Sequence, residues 1–377
     1  MMVKPEFKPF TLEIDGASEF YVKSGNNLIL DFSGSAMTTG YNFIKPEWLV
    51  PQVSSLVFRN FYKCELKNTL KKLSGFENSA FTTSGTEACD TALTRYGFPV
   101  ISLEGAYHGL TYLTKIVSNG TGYDINNRII HLKIPDNKIS VENAIEYNNS
   151  LIKKSPFSLD NGTVIIELIQ SDGGVNVLPK EFINYIIEIS KNLGFHLIVD
   201  EVYTGYGRSG EMFLFKKYNI KPDMVCIGKG MAAGLPLGAV LYNNSWDLPY
   251  NDVLSMQGGN MFTSRVALEV IKSLDEKRLD FVRNNGVNII KKLLKISNDK
   301  ISSVRGLGFM IGIEFSDDVG NPDPEYALNI RNRLFSDNLA CSLTGESNNV
   351  LKITPPVLID KETLDSGIEK IINVLEE

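Results

Sequence analysis

Residues 195–210, FHLIVDEVYTGYGRSG, and residues 226–239, CIGKGMAAGLPLGA, decide how the rest of the chain is read. Phe195 to Val199 is a continuous aromatic and β-branched run that ends in Asp200 and Glu201. Such a run predicts a strand buried on both faces of a parallel sheet. Ligands of these sheets sit beyond the carboxyl ends of the strands, where Asp200 falls. A second run, Met224 to Ile227, ends in Gly228, Lys229 and Gly230. The flanking glycines let the backbone turn tightly and leave the amine uncrowded, so Lys229 is expected to point into a site. Singly, an Asp or a Lys is usually a solvated surface charge. An acid and an amine, each at the end of a buried run, read as chemistry.

Upstream, residues 79–88, SAFTTSGTEA, form a short strand, a small-residue turn and the start of a helix. Ser84, Gly85 and Thr86 either hold a phosphate, through first-turn N–H groups and two hydroxyls, or Ser84 only caps the helix, with Glu87 closing a capping box. Phe98 to Leu103 is another buried strand, followed by Tyr107 and His108; the Tyr107 ring either lies over a flat ligand or packs at the strand end. Val164 to Glu167 is strand-like, and Phe182 to Asn192 is helical. Strand, helix, strand in that order imply a parallel sheet with right-handed crossovers. Residues 10–40 alternate apolar and polar around turns at Asp15-Gly16 and Gly25-Asn26-Asn27, the pattern of antiparallel strands. Residues 47–75 read as helical, with Trp48, Leu49, Val53, Leu56 and Val57 on an apolar face and a stop at Gly75. Residues 118–160 are polar and uneven, with one strand at 129–135 and no motif; Thr263 to Lys295 forms one or two long helices.

A chain of 377 residues with 43% hydrophobic and 22% charged residues is long enough to bury a sizeable core and has an ordinary globular composition. It contains no apolar run of the roughly 18 residues a membrane helix needs, and MMVKPEFKPF lacks the apolar core of a signal peptide, which places the protein in the cytoplasm. A net charge of -6 without a basic run argues against nucleic acid. Cys64, Cys89, Cys226 and Cys341 are dispersed with no CxxC spacing, which fits reduced thiols better than disulfides or zinc. His108, His131 and His196 are too few and scattered to predict a metal site.

The opening stretches resemble the class-III, ornithine- and 4-aminobutyrate-type aminotransferases of fold type I, which use pyridoxal 5'-phosphate. Their pattern of DEV, TGFGR, GK and GxPxGA stands here as DEVYTGYGR and GKGMAAGLPLGA. The resemblance implies an α/β fold: a mixed, mostly parallel central sheet with helices on both faces, plus a smaller α+β domain from both chain ends. Residues 1–45 and 286–377 would form the small domain and 46–285 the large cofactor-binding domain. The catalytic pair would be Lys229, as the Schiff-base lysine that also moves the proton, and Asp200, paired with the pyridine nitrogen. Ser84, Gly85 and Thr86 match the family's phosphate-cradling SGTEA, while Tyr107 and His108 match its YHG, with the ring over the pyridine. Glu167 opens the segment where relatives read EPxxGEGG, and Tyr203 stands where many have a Gln near the cofactor's phenolic oxygen.

Ser255 and Met256 fall in the counterpart of STFGGNP, whose Thr reaches the phosphate of the neighbouring subunit; the implied assembly is a homodimer with sites at the interface. Met256 has no hydroxyl, so Ser255, a backbone N–H, Thr263 or a shifted alignment has to serve. Asp172 replaces the family's second Glu. Lys352 replaces the Arg of IRxxPP that commonly grips the α-carboxylate of an oxo acid, a single point charge for a two-pronged fork. Arg305, in VRGLGFMIGIE, is expected to be structural. The implied activity is ping-pong transfer of an amino group between an amino compound, terminal amines included, and an oxo acid or aldehyde. An aminomutase or amino-acid epimerase of the same family, or a non-catalytic binding protein on this scaffold, is the alternative.

Overall fold

The alternating N-terminal stretch forms three strands, β1 (Gly16–Ser18), β2 (Tyr21–Ser24) and β3 (Asn27–Asp31), paired antiparallel in order. They belong to a computed structural model that describes residues 13–34, 39–41, 43–50, 60–243 and 255–377. The chain reverses between β1 and β2 and between β2 and β3, whereas Asp15-Gly16 leads into β1. The Asp15 carboxylate instead accepts the Gly25 N–H at 2.9 Å and so steadies the second turn. Of the helix expected over 47–75, Val53, Leu56 and Val57 lie outside the described residues. What is described is a 3-10 turn at Pro46–Trp48 and helix α1 (Phe61–Ser74), capped by the Asn60 side chain and ended by Gly75 at φ 86°.

The next elements in order are β4 (Asn78–Thr82), α2 (Gly85–Tyr96), β5 (Val100–Leu103), α3 (Tyr112–Ile116), β6 (Gly122–Asp124), β7 (Ile129–Leu132), α4 (Val141–Lys153) and β8 (Thr163–Glu167). A short ribbon, β9 (Ile169–Gln170) and β10 (Asn176–Val177), precedes α5 (Lys180–Leu193), β11 (His196–Asp200), α6 (Leu214–Lys217), β12 (Met224–Ile227) and β13 (Gly238–Tyr242). Eight of these strands make one sheet, ordered β4-β13-β12-β11-β8-β5-β7-β6. From β12 through β11, β8 and β5 to β7 every pairing is parallel. β13 runs antiparallel to both neighbours, so β4 points the same way as the parallel block. The residues of β5, β7, β8, β12 and β13 are all buried, which explains why these runs show no alternation.

Helix α4 had no counterpart in the sequence reading of residues 118–160. Its inward face carries Ala144, Asn148 and Leu151. Asn148 is buried because its amide bonds both the N–H and the C=O of Lys133, at 2.9 Å each, so a polar letter stands where the pattern needed an apolar one. Ser140, whose hydroxyl caps the Asn143 N–H, was the visible start signal.

The remainder comprises α7 (Met261–Ser273), α8 (Glu276–Leu293), the hairpin β14 (Ile301–Leu307) and β15 (Met310–Phe315), α9 (Pro324–Ser336), β16 (Leu339–Ala340), β17 (Ser342–Thr344), β18 (Val350–Ile353) and α10 (Lys361–Glu376). β14, β15, β18 and β17 form a second sheet, and β16 pairs in parallel with β3, so the two ends of the chain share a third. Arg305 donates two hydrogen bonds to the Gly174 carbonyl, at 3.0 and 2.7 Å, and pairs with Glu314 at 2.5 Å, tying the hairpin to the loop after β9.

Candidate active site

Parallel strands that end together collect their loops at one edge. β4 leads to Ser84, β5 to Tyr107, β8 ends in Glu167, β11 in Asp200, and β12 runs into Gly228 and Lys229. Ser84, Tyr107, Glu167, Asp200 and Lys229 line one cavity of about 260 Å³, lined on another side by Leu235, Pro236 and Leu237 before β13. Three segments meet closely there. A Cβ on Gly85 would lie 2.4 Å from the Val202 side chain, and one on Gly228 would lie 2.9 Å from the Cα of Gly85, so only glycine lets α2 approach the ends of β11 and β12.

At the start of α2, Ser84 caps the helix, and Glu87 reaches back to Thr83 instead of closing a capping box on the Ser84 N–H. The Ser84 hydroxyl accepts the Glu87 N–H at 3.1 Å, and the Glu87 carboxylate accepts the N–H and hydroxyl of Thr83 at 2.6 and 2.7 Å. The cap therefore consumes the third N–H of the turn and leaves those of Gly85 and Thr86, on residues that line the cavity, without an intrahelical partner. A helix N-terminus in that condition favours an anion.

Asp200 is buried beneath the cavity floor and heavily partnered. Oδ2 lies 2.8 Å from Nδ1 of His108 and accepts from Sγ of Cys89 at 3.3 Å; Oδ1 accepts the Val202 N–H at 2.9 Å. A carboxylate oxygen only accepts, so His108 carries a proton on Nδ1. Glu167 accepts the Tyr107 N–H at 2.9 Å and the Ser171 N–H at 3.3 Å, which orients the strand end bearing the Tyr107 ring. Burial pushes its carboxyl above the usual range against the opposing His108 charge.

Lys229 takes a left-handed φ of 42°, a conformation that costs an L-residue about 1–2 kcal/mol. Its Nζ stands 4.4 Å from the centroid of the Tyr203 ring, and Nζ of Lys352 stands 5.0 Å from the same centroid. Burial pushes the Tyr203 phenol up, but Lys352, Arg208 and Lys229 together hold it below its ordinary value. Lys352 is buried and reaches Oγ of Ser171 at 3.2 Å and Oδ1 of Asp172 at 3.4 Å. Burial disfavours its charge, yet Tyr203 and Asp172 hold its amine above the ordinary lysine value.

Of the residues singled out in the sequence, Ser84, Gly85, Thr86, Tyr107, His108, Glu167, Asp172, Asp200, Tyr203 and Lys229 line this cavity, and Lys352 touches it through Asp172 and Tyr203. Ser255 and Met256 do not line it; the Met256 side chain is 65% exposed, and the hydroxyl of Ser255 is buried without a partner. Val202, Ser171 and Leu235 to Leu237 line it without having been singled out, and Cys89 acts from behind. Val202 follows the DE pair directly and was open to detection, whereas the Cys89 contact joins positions 111 apart and leaves no local trace. Arg208, from the same TGYGR stretch, is fully buried and donates to the carbonyls of Phe309, at 3.1 Å, and Pro355.

Free first-turn N–H groups with hydroxyls beside them, a buried carboxylate, a primary amine and a phenol ring are the donor set that a phosphorylated pyridine aldehyde requires. The residues present fit pyridoxal 5'-phosphate.

Comparison with known proteins agrees. The profile of the aminotransferase class-III family matches residues 49–375. An alanine/serine racemase of Pyrococcus horikoshii is 27% identical over 426 aligned positions, which cover 100% of this chain and 86% of that one. An acetylornithine aminotransferase of Lactococcus lactis subsp. lactis is 29% identical over 383 positions, 97% of each chain. Among solved structures, a PMP-bound aminotransferase from Vibrio fluvialis shares the fold with a TM-score of 0.84 at 19% identity, over 97% of this chain and 92% of that one.

Proposed function

The chain belongs to the class-III aminotransferases, and from that premise we propose that Lys229 and Asp200 are its catalytic pair in moving an amino group between an amino compound and an oxo acid or aldehyde. One observation supports this above the others: the Lys229 amine, the Asp200 carboxylate and the open first turn of α2 line a single cavity. Pyridoxal 5'-phosphate, when bound, supplies an aldehyde to take up the amino group and a ring to store the electron pair released as the substrate C–H breaks.

The chain's own residues do the rest. Gly85 and Thr86 would bind the phosphate by backbone N–H groups, with the hydroxyls of Ser84 and Thr86 beside them. The Lys229 amine would hold the cofactor covalently and, when free, would take up and return a proton at its Nζ. Asp200, held in place by His108, would favour a proton on the ring nitrogen by its negative charge. Tyr107, its backbone fixed by Glu167, would cover the ring and exclude water. Lys352 offers one point charge to a substrate anion, already shared with Asp172 and Ser171.

We read the assembly as a cytoplasmic homodimer, with Ser255 and Met256 facing the partner's cavity; the exposed apolar side chain of Met256 is consistent with that reading. We divide the chain into a large cofactor domain over 46–285 and a small domain from 1–45 and 286–377, supported by the pairing of β16 with β3.

The test is a half-reaction. Cofactor-loaded protein is given a panel of amino donors with no acceptor, and the oxo product is measured. A transferase releases about one equivalent per site and stops. Inversion or migration of the amino group with no oxo product would instead place the chain with the racemase relative.

A further inference from the structure

Asp200 is held by more than its histidine. A carboxylate offers about four lone-pair positions, two on each oxygen. Oδ2 fills both of its positions, with Nδ1 of His108 at 2.8 Å and Sγ of Cys89 at 3.3 Å. Oδ1 fills one, with the Val202 N–H at 2.9 Å. The vacant position is thus on Oδ1, and Asp200 lines the cavity. We propose that Cys89 is a positioning residue for the aminotransferase reaction: its thiol shares Oδ2 with His108 and so presents Oδ1, the oxygen with a free lone pair, to the ring nitrogen of the cofactor. The inference rests on the reading of Asp200 above.

The surroundings suit a donor thiol. A thiol has one proton, and Oδ2 of Asp200 is the acceptor within its reach. Cys89 lies in α2, three residues after Thr86. Cys226 lies in β12, three residues before Lys229 and opposite Asp200 in the sheet register. The contact of Cys89 with Asp200 therefore ties α2, whose first turn lines the cavity, to the strand end that carries the carboxylate. Both sulfurs are fully buried. The neighbouring Cys226 thiol, then burial, then the Asp200 charge push the Cys89 thiol well up, which keeps it protonated.

The experiment uses the holoenzyme loaded with pyridoxal 5'-phosphate labelled with ¹⁵N in the ring, whose NMR shift reports the proton on that nitrogen, together with the dissociation constant of the cofactor. Asp200→Asn sets the shift of a ring without its carboxylate. Cys89→Ala and Cys89→Val, which lack a donor and differ in volume, are expected to move the resonance part of the way towards Asp200→Asn and to weaken cofactor binding by about two- to tenfold, the range of one net hydrogen bond. Cys89→Ser, which keeps a donor, is expected to restore the resonance. If Cys89→Ala and Cys89→Val leave the resonance at the wild-type position while Asp200→Asn moves it, the role of Cys89 is overturned and that of Asp200 stands. If the resonance moves in both but Cys89→Ser fails to restore it, packing rather than donation is at work and the proposal falls. If Asp200→Asn itself leaves the shift unchanged, the assignment of Asp200 is wrong and the inference goes with it.

Discussion

Gly85→Ala asks whether the first turn of α2 is seated by the absence of one methyl group. A Cβ at position 85 would lie 2.4 Å from Cγ1 of Val202 and 2.7 Å from Cγ2, well inside van der Waals contact. Val202 is β-branched and stiff at χ1, so its escape is limited; since it also lines the cavity, escape carries it towards the cofactor. Overpacking of this kind costs about 1–3 kcal/mol. With an unfolding entropy of about 2.1 cal/mol/K per residue, cooperative unfolding of 377 residues carries about 0.8 kcal/mol/K. The substitution is therefore expected to lower the Tm of the cofactor-free protein by about 1–4 °C in calorimetry. Val202→Ala removes both clashing carbons, so Gly85→Ala and Val202→Ala together should cost less than their separate losses combined. Gly228→Ala is the contrast. Its Cβ would meet the Cα and N of Gly85 at 2.9 and 3.0 Å, which is backbone, so Val202→Ala should bring little relief there. Equal coupling of Val202 to both glycines, or none to Gly85, would refute the steric account.

Lys229→Ala is expected to bind pyridoxal 5'-phosphate without a covalent bond, so that borohydride reduction followed by mass spectrometry adds the cofactor's mass to the wild type alone; added mass on the variant would point to another amine. Glu201 is fully buried and accepts from the Phe215 N–H at 2.6 Å and the Thr204 hydroxyl at 2.9 Å, and burial pushes its carboxyl from 4.5 to about 7. A raised carboxyl contributes stability that is complete below pH 4.5 and lost as pH rises through 7, so Glu201→Gln should flatten the fall of Tm across that window, and an unchanged slope counts against it. Lys352→Arg replaces a point charge with a planar fork, and one added charge-assisted hydrogen bond of about 1.5–3 kcal/mol predicts a KM for 2-oxoglutarate lower by about tenfold or more, with smaller change for an uncharged aldehyde. Equal changes for both acceptors would show that the fork does not read the acceptor's carboxylate.

The central sheet was legible because its strands are buried on both faces and so read as plain apolar runs: Phe195 to Val199, Met224 to Ile227 and Val164 to Glu167 stand as β11, β12 and β8 with boundaries shifted by a residue or less. Helix α4 was not, because its core-facing Asn148 satisfies a backbone strand end instead of an apolar pocket. The reversal between β14 and β15 left little trace, since Gly308, with φ of 59°, looks like a strand irregularity in one dimension and makes a turn in three.

The cavity divides in the same way. Residues that stand at strand ends, such as Asp200, Glu167 and Lys229, declare themselves because topology alone puts every carboxyl end of a parallel block on one edge. What surrounds them is set by contacts across the fold: Lys352 reaches Asp172 over 180 positions, and Cys89 reaches Asp200 over 111. Such contacts have no period and no motif, since the only requirement is that two side chains end within hydrogen-bond distance once the sheet has formed. The framework that places a carboxylate is therefore readable from pattern. The partners that fill its lone pairs, and so decide which oxygen faces the cavity, are chosen by packing, and substitution at Cys89 or Lys352 can retune the site without touching the strand ends that define it.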